Sequence, residues 1–158
     1  DEGFAGRAAL CSFDWGALME VRRRRPALAT WFTTPPLSWY GAGPPPGEDL
    51  PPSGPYLDAL RALHAQGDAP WFAGFDPRRF ADGYPEAIAA AGGDAWFMYW
   101  RDCTPERVRD SSSRGLLAAA WSVNLRDRSA LTRLMRSGAD AVCLDYIDLD
   151  LSALSPGG

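Results

Sequence analysis

Side chains able to bind a ligand follow each of five short apolar runs in the sequence. Hydroxyl, carboxylate, amide, guanidinium and aromatic groups are all present, a mixture that suits a small polar ligand bearing hydroxyls or a phosphate. The mixture does not specify a reaction. The residues are Ser12, Phe13, Asp14, Thr33, Thr34, Arg101, Asp102, Trp121, Ser122, Asn124, Asp145 and Tyr146.

The five apolar runs are typical of strands in a parallel sheet that is covered on both faces. They alternate with helix-like segments, which is the pattern of βαβ units feeding one sheet. In such folds ligands bind at the carboxyl ends of the strands, so the polar residues above should share one rim. The predicted strands are residues 8–13, 28–33, 95–100, 116–123 and 141–144.

Each candidate side chain also has an ordinary structural role. Asp14 and Asn124 suit helix N-caps, where a side-chain oxygen accepts a hydrogen bond from a free backbone N–H. The Trp121 indole suits a core position, and Asp145 suits a turn after the last strand. His64, the single histidine, lies on a predicted helix, where a partly exposed position without acid/base chemistry is its ordinary role.

A long excursion, residues 35–93, separates the second and third predicted strands. Its first part, residues 35–55, is rich in proline and glycine and predicts a surface loop without regular structure. A helix with Leu57, Leu60 and Leu63 follows, then an aromatic segment over residues 70–80 and a small helix near residues 85–91. An insertion at this position forms a pocket wall or is a passive excursion, and both readings stay open.

Charge and hydropathy restrict the partners of the chain. The formal net charge is -4 and the sequence pI about 4.9, so the chain has no basic field suited to nucleic acid. No apolar run approaches the roughly 18 to 20 residues of a membrane span. Cys11, Cys103 and Cys143 form no C-x-x-C pair, which favours neither zinc nor a disulfide framework. Cys11 and Cys143 lie in predicted strands among apolar neighbours, where a thiol usually packs as a small core residue. We therefore expect a cytoplasmic protein, or a periplasmic one if an N-terminal signal is missing.

Several stretches, taken in order, are similar to one enzyme family, the glycerophosphodiester phosphodiesterases. The closing pattern resembles the family's Trp-Thr-Val-Asn, helix, and Gly-Val-Asp-Gly-Ile-Ile-Thr-Asp-Tyr-Pro. An earlier Ser-Phe resembles the end of a strand in the middle of these barrels, and two further stretches resemble a bacterial subgroup. The stretches are Ser12-Phe13-Asp14, residues 69–76, residues 90–96, Ala120-Trp121-Ser122-Val123-Asn124 and residues 138–146.

The resemblance implies an α/β fold, namely strands 4 to 8 of a (β/α)8 barrel of the kind called a TIM barrel. Residues 1–158 would be the C-terminal portion of a single barrel domain with an insertion at residues 35–93. The family's catalytic histidines and metal-binding carboxylates lie on the first three units, in motifs that include His-Arg-Gly and Glu-x-Asp, and no residue here matches them. The resemblance therefore implies no catalytic residue and no metal ligand in this chain.

The resemblance does carry over four positions. Phe13 and Trp121 match positions that line the alcohol or headgroup side of the substrate pocket, and Asn124 and Asp145 match rim or supporting positions. The chain departs from the family in Ser122 and Leu144, where threonine is usual, and in Ile147 in place of proline. The change at Ile147 affects the last loop most, because proline fixes a turn there.

The implied activity of the intact protein is a step of lipid metabolism, the hydrolysis of glycerophosphodiesters to sn-glycerol 3-phosphate and an alcohol. A divalent cation, Mg2+ or Ca2+, would be its cofactor, and a glycerophosphodiester its small-molecule partner. Two alternatives remain: a truncated, non-catalytic binding protein, and a related phospholipase-type barrel hydrolase with a larger lipid substrate. Five strands cannot close a barrel, and their unpaired edges would favour a homodimer.

Overall fold

A computed structural model describes residues 6–45, 50, 54–122 and 126–146. Five parallel strands form one curled sheet, a partial TIM-like barrel, with the strands in chain order and each paired to the next. The predicted fold class is confirmed, and the strand positions agree within one or two residues. The strands are β1 (Ala9–Ser12), β2 (Ala29–Thr33), β3 (Ala95–Tyr99), β4 (Leu117–Trp121) and β5 (Ala141–Cys143).

Within the described residues, five α-helices connect the strands or form part of the insertion: α1 (Trp15–Arg24), α2 (Pro55–Ala65), α3 (Tyr84–Ala90), α4 (Pro105–Ser113) and α5 (Arg128–Arg136). Asp14 caps α1 by accepting a hydrogen bond from the Ala17 N–H, so its predicted capping role is confirmed. Thr104 caps α4 in the same way, ahead of Pro105 at the first helical position.

The strand register separates the sheet into a helix-covered face and an inner face. Phe32, Trp96 and Ala118 are register partners on the helix-covered face, and they pack in one core with Trp15 and Leu18 of α1. The alternate positions point to the inside of the curve, as the period of two along a strand requires. They include Cys11, Trp31, Phe97, Tyr99, Trp121 and Cys143.

The expectation that all five strands are covered on both faces is wrong for the two edge strands. All five residues of β3 are buried, whereas Leu10 in β1 is 40% exposed. Cys11 and Cys143, expected to be buried, are both exposed, and Cys103 is the buried thiol. The physical reason is that burial of a strand requires neighbouring strands and helices to cover it. An apolar sequence does not show whether those neighbours are present.

Two aspartates align the amino ends of the strands by the same contact. The Thr30 N–H donates to Asp94 Oδ2 at 2.8 Å, and the Asp94 N–H donates back to the Thr30 carbonyl at 3.0 Å. Between β4 and β5, Ala118 and Asp140 exchange the same two hydrogen bonds, both at 2.8 Å. Asp140 of the closing pattern therefore has a structural role at the amino end of β4.

The start of the insertion differs from the predicted surface loop. Pro35, Pro36 and Leu37 are buried, and residues Leu37–Tyr40 form a 3-10 helix that ends at Gly41 in the left-handed conformation. In the aromatic segment, Pro70–Phe72 and Pro77–Arg79 form two further 3-10 turns. The prolines thus begin short turns that bring aromatic side chains back against the sheet.

Candidate substrate pocket

The Thr33-Thr34 step at the carboxyl end of β2 receives the indole N–H groups of three tryptophans. Trp15 donates to the Thr33 carbonyl at 3.2 Å, and Trp96 donates to Thr34 Oγ1 at 3.0 Å. Trp121 donates to the Thr34 carbonyl at 3.1 Å. Because buried indoles seek a hydrogen-bond acceptor, these contacts fix the orientation of three large rings around the point where the insertion begins.

Asp102 holds the first turn of the insertion from the other side. Its Oδ2 accepts the Leu37 N–H at 2.9 Å, and its Oδ1 lies 3.3 Å from Arg107 Nη1. The carboxylate is 1% exposed, and burial raises its pKa to about 6, although the hydrogen bond from Leu37 and the Arg107 charge act to lower it. Gly43, with φ +76°, passes so close that a Cβ there would lie 2.7 Å from Asp102 Oδ1.

A cavity of about 250 Å³ opens beside these contacts at the carboxyl ends of the strands. Phe13 and Trp121 come from the ends of β1 and β4, and the remaining walls come from the insertion. Six of the eight lining residues are aromatic, and none is charged. The lining residues are Phe13, Pro35, Trp39, Tyr40, Tyr56, Leu60, Trp71 and Trp121.

The aromatic rings of the cavity belong to two groups with different geometry. Phe13 and Trp121 meet edge to face, with centroids 5.7 Å apart and an angle of 86° between the rings. Across the cavity wall, Tyr40 and Trp71 are nearly parallel, at 7° and 6.2 Å. The pocket is therefore enclosed by rings from two directions, which restricts its shape as well as its polarity.

His64 supports the cavity from outside. It lies on α2, is not among the lining residues, and stacks on the Tyr40 ring with centroids 4.3 Å apart. Burial lowers the pKa of His64, which favours the neutral imidazole. Burial likewise raises the pKa of Tyr40, so its phenol stays protonated. These two groups therefore act as packing surfaces in this geometry.

The structure brings together two of the four predicted site residues. Phe13 and Trp121 share the cavity, whereas Asp145 is exposed after β5. Asn124 and Ile147 lie outside the described residues. The Arg126 guanidinium lies 3.5 Å from the Tyr146 ring centroid beside Asp145, so these two groups engage each other.

Sequence reasoning left open whether the insertion forms a pocket wall and assigned none of its side chains to the cavity. Trp39, Tyr40, Tyr56 and Trp71 all lie in the insertion, where the concentration of aromatic residues was the available signal. The concentration of aromatic residues does not distinguish side chains that line the cavity from side chains in the hydrophobic core. Phe72 belongs to the same segment and is fully buried in the core.

The described residues do not supply a site for the divalent cation that the resemblance implies. Hard divalent cations require several oxygen ligands at one point. Across residues 6–45, 50, 54–122 and 126–146, no group of three or more His, Cys, Asp or Glu side chains converges in that way. We therefore derive no chemical step through a metal from these residues.

The fold and pocket define part of a (β/α) barrel with an aromatic-lined cavity at the carboxyl ends of its strands. No family model and no curated protein matches the sequence. A solved structure from Silicibacter pomeroyi DSS-3, assigned as a glycerophosphoryl diester phosphodiesterase, aligns over 91% of this chain with 27% identity and a TM-score of 0.59. A second, from Galdieria sulphuraria and assigned as a glycerophosphodiester phosphodiesterase, aligns over 90% with 15% identity and a TM-score of 0.55, a likeness of fold alone.

The chain spans 36% and 41% of the lengths of these two proteins. The resemblance seen in the sequence is thereby confirmed: over most of its length the chain is similar to part of a glycerophosphodiester phosphodiesterase domain. Among the described helices, none has the length and apolar character needed to cross a membrane.

Proposed function

We propose that the intact protein hydrolyses glycerophosphodiesters to sn-glycerol 3-phosphate and an alcohol, and that this chain supplies the alcohol side of its pocket. The observation that carries the proposal is the alignment over 91% of the chain with the Silicibacter pomeroyi structure. The juxtaposition of Phe13 and Trp121 at the strand ends supports it further. In a barrel of this type that rim is where substrates bind.

In this reaction water adds to phosphorus, the bond from phosphorus to the alcohol oxygen breaks, and a proton passes to the departing alcohol. We assign to Phe13 and Trp121 the binding of that alcohol and the exclusion of solvent from it. Asn124 and Asp145 are proposed to support the rim. The acid/base residues and the ligands of a Mg2+ or Ca2+ ion are proposed to lie on the other strands of the barrel, as the resemblance implies.

The test is the release of sn-glycerol 3-phosphate by the intact gene product, with Mg2+, with Ca2+ and with a chelator. Glycerophosphoglycerol, glycerophosphoethanolamine and glycerophosphocholine form the substrate panel. We expect turnover that the chelator abolishes, and no turnover by the 158-residue chain alone. An intact protein without His-Arg-Gly and Glu-x-Asp motifs, or with those motifs but no hydrolysis, would contradict the proposal.

The size of the cavity favours this activity over a phospholipase-type reaction. About 250 Å³ is below the roughly 300 to 1,000 Å³ of pockets for drug-sized ligands, so it suits a headgroup better than an acyl chain. Hydrolysis of lyso-phospholipids in preference to glycerophosphodiesters would reverse this assignment.

A further inference from the structure

We propose that a second cavity, on the helix-covered side of the sheet, binds a small phosphomonoester whose organic part is apolar. The cavity has a volume of about 420 Å³ and lies between residues 100–105, helix α5 and residues 44–45 of the insertion. We call it the arginine cleft, after Arg101 and Arg133 in its lining. It shares no lining residue with the aromatic-lined cavity, so the inference does not depend on the proposed hydrolysis.

The charge of the arginine cleft decides the class of ligand. None of its described lining residues carries a carboxylate. In the described part of the chain neither Arg101 nor Arg133 has a carboxylate partner within 4 Å, whereas the neighbouring Arg107 is paired with Asp102. Two guanidinium charges match a phosphomonoester, which carries about -1.5 to -2 at pH 7 and offers three acceptor oxygens.

Both guanidinium groups are held in place by one hydrogen bond each. Arg101 Nη1 donates to the Pro45 carbonyl at 2.9 Å, and its guanidinium carbon lies 5.2 Å from the centre of the Trp100 ring. Arg133 Nη1 donates to Ser129 Oγ at 3.1 Å. Because a guanidinium has five N–H donors in a rigid fork, each group keeps donors for a ligand and loses little freedom on binding.

One hydroxyl in the lining adds a further donor. Thr104 Oγ1 accepts the Arg107 N–H at 3.3 Å as the cap of α4, which leaves its own O–H able to donate to a phosphate oxygen. Cys103 and Ser137 also line the cleft, but both are buried and their Sγ and Oγ atoms lie 3.6 Å apart. These two side chains already have polar partners, so we assign them no contact with the phosphate.

The rest of the lining is apolar and sets the organic part of the ligand. It includes the Trp100 ring, Leu134 of α5 and the rings of Pro44 and Pro105. Inorganic phosphate would use only the charged side of the cleft. An apolar group attached to the phosphate would also cover these surfaces and gain affinity from their removal from water.

The experiment is calorimetric titration of the 158-residue chain with phenyl phosphate, inorganic phosphate and phenol at pH 7.5. Phenol has the apolar ring without the charge, and inorganic phosphate has the charge without the ring. We expect phenyl phosphate to bind at least about tenfold more tightly than phenol, in line with charge-assisted hydrogen bonds. It should bind at least about threefold more tightly than inorganic phosphate, in line with burial of the ring. Equal affinity for phenol and phenyl phosphate would overturn the proposal.

Variants locate the binding. Arg101→Gln should weaken phenyl phosphate binding about tenfold and Arg133→Gln about fivefold, because each removes a charged donor. Arg136→Gln is the matched control, since Arg136 is an exposed arginine of the same helix that does not line the cleft. Because Arg133 is also exposed, its replacement tests the site even if the Arg101 variant fails to fold. Equal losses in Arg133→Gln and Arg136→Gln would show attraction to the general surface charge and contradict the proposal.

A further variant separates the two cavities. Trp71 lines the aromatic-lined cavity and not the arginine cleft. A Trp71→Leu protein that loses phenyl phosphate binding, while Arg133→Gln retains it, would place the ligand in the aromatic-lined cavity and overturn the proposal. Phenyl phosphate binding by the chain, with no phosphodiester hydrolysis by the intact protein, would refute the enzymatic function and leave the arginine cleft in place.

Discussion

The indole N–H of Trp121 donates a hydrogen bond to the Thr34 carbonyl at 3.1 Å, across 87 residues of sequence. The contact joins the end of β4 to the first residue after β2, where the insertion leaves the sheet. It also turns the Trp121 ring so that one neighbour is Phe13 and another is Tyr99, whose ring centroid lies 5.2 Å away. One hydrogen bond thus orients the ring that the strands contribute to the pocket.

Replacement of Trp121 by Phe should lower the free energy of unfolding by about 1 to 3 kcal/mol, because the variant leaves the Thr34 carbonyl without its donor. Urea denaturation would measure the change. Trp31→Phe is the matched control, since Trp31 takes no part in the contacts of the Thr33-Thr34 step. Equal loss in the two variants would show that the effect comes from ring size and not from the hydrogen bond.

Asp102 should make stability depend on pH in an unusual direction. Its pKa in the folded chain, about 6, lies above the ordinary value of 3.8, so the folded state holds a proton that the unfolded state releases between these values. The contribution of this group to stability is full below about pH 4 and is lost as the pH rises through 6.

Comparison of the native chain with Asp102→Asn in urea at pH 4.5 and pH 7.5 isolates this contribution. On the order of 2 kcal/mol of the native chain's stability should disappear between the two pH values relative to the variant. Other carboxylates affect both proteins alike. Parallel pH profiles for the two proteins would show that burial does not raise the pKa of Asp102.

Gly43 and Gly41 provide a paired test of close packing against Asp102. Both have positive φ, +76° and +83°, so alanine at either position incurs a backbone cost of about 1 kcal/mol. Only at Gly43 would the new Cβ also meet the Asp102 carboxylate, whereas nothing lies within 4 Å at Gly41. Thermal unfolding should show that Gly43→Ala is less stable than Gly41→Ala by about 1 kcal/mol or more, and equal losses would contradict the described packing.

Asp140 should matter for stability and not for ligand binding, because its carboxylate receives the Ala118 N–H at the amino end of β4. We expect Asp140→Ala to cost about 1 to 3 kcal/mol in the free energy of unfolding. Asp145→Ala, at an exposed carboxylate after β5, should cost less than about 0.5 kcal/mol. An Asp140→Ala protein as stable as the native chain would contradict the structural role of this carboxylate.

The strands and helix caps could be predicted from sequence because their causes are local. The apolar run at residues 95–100 and the Thr104-Pro105 pair specify a strand and a helix start without knowledge of distant residues. The burial predicted for Cys11 and Cys143 is wrong because burial of a strand face is not determined by the local sequence. Whether a strand face is covered depends on which elements lie beside it, and both cysteines lie on edge strands.

The pocket could be predicted only in part. Phe13 and Trp121 were indicated by the resemblance and by their position after apolar runs, and the structure brings them together. Tyr40 and Trp71 could not be assigned to the wall, because their position depends on how the insertion folds back on the strands. The buried Asp102 that holds the Leu37 N–H is one such long-range determinant.

The paired contacts of Asp94 and Asp140 lie at the amino ends of the strands, on the side of the sheet away from the cavity. The residues that align the strands are therefore separate from the residues that line the cavity. Substitution of the cavity-lining side chains would leave these two strand contacts in place, whereas removal of the whole insertion would also take Phe72 and Ile88 out of the core.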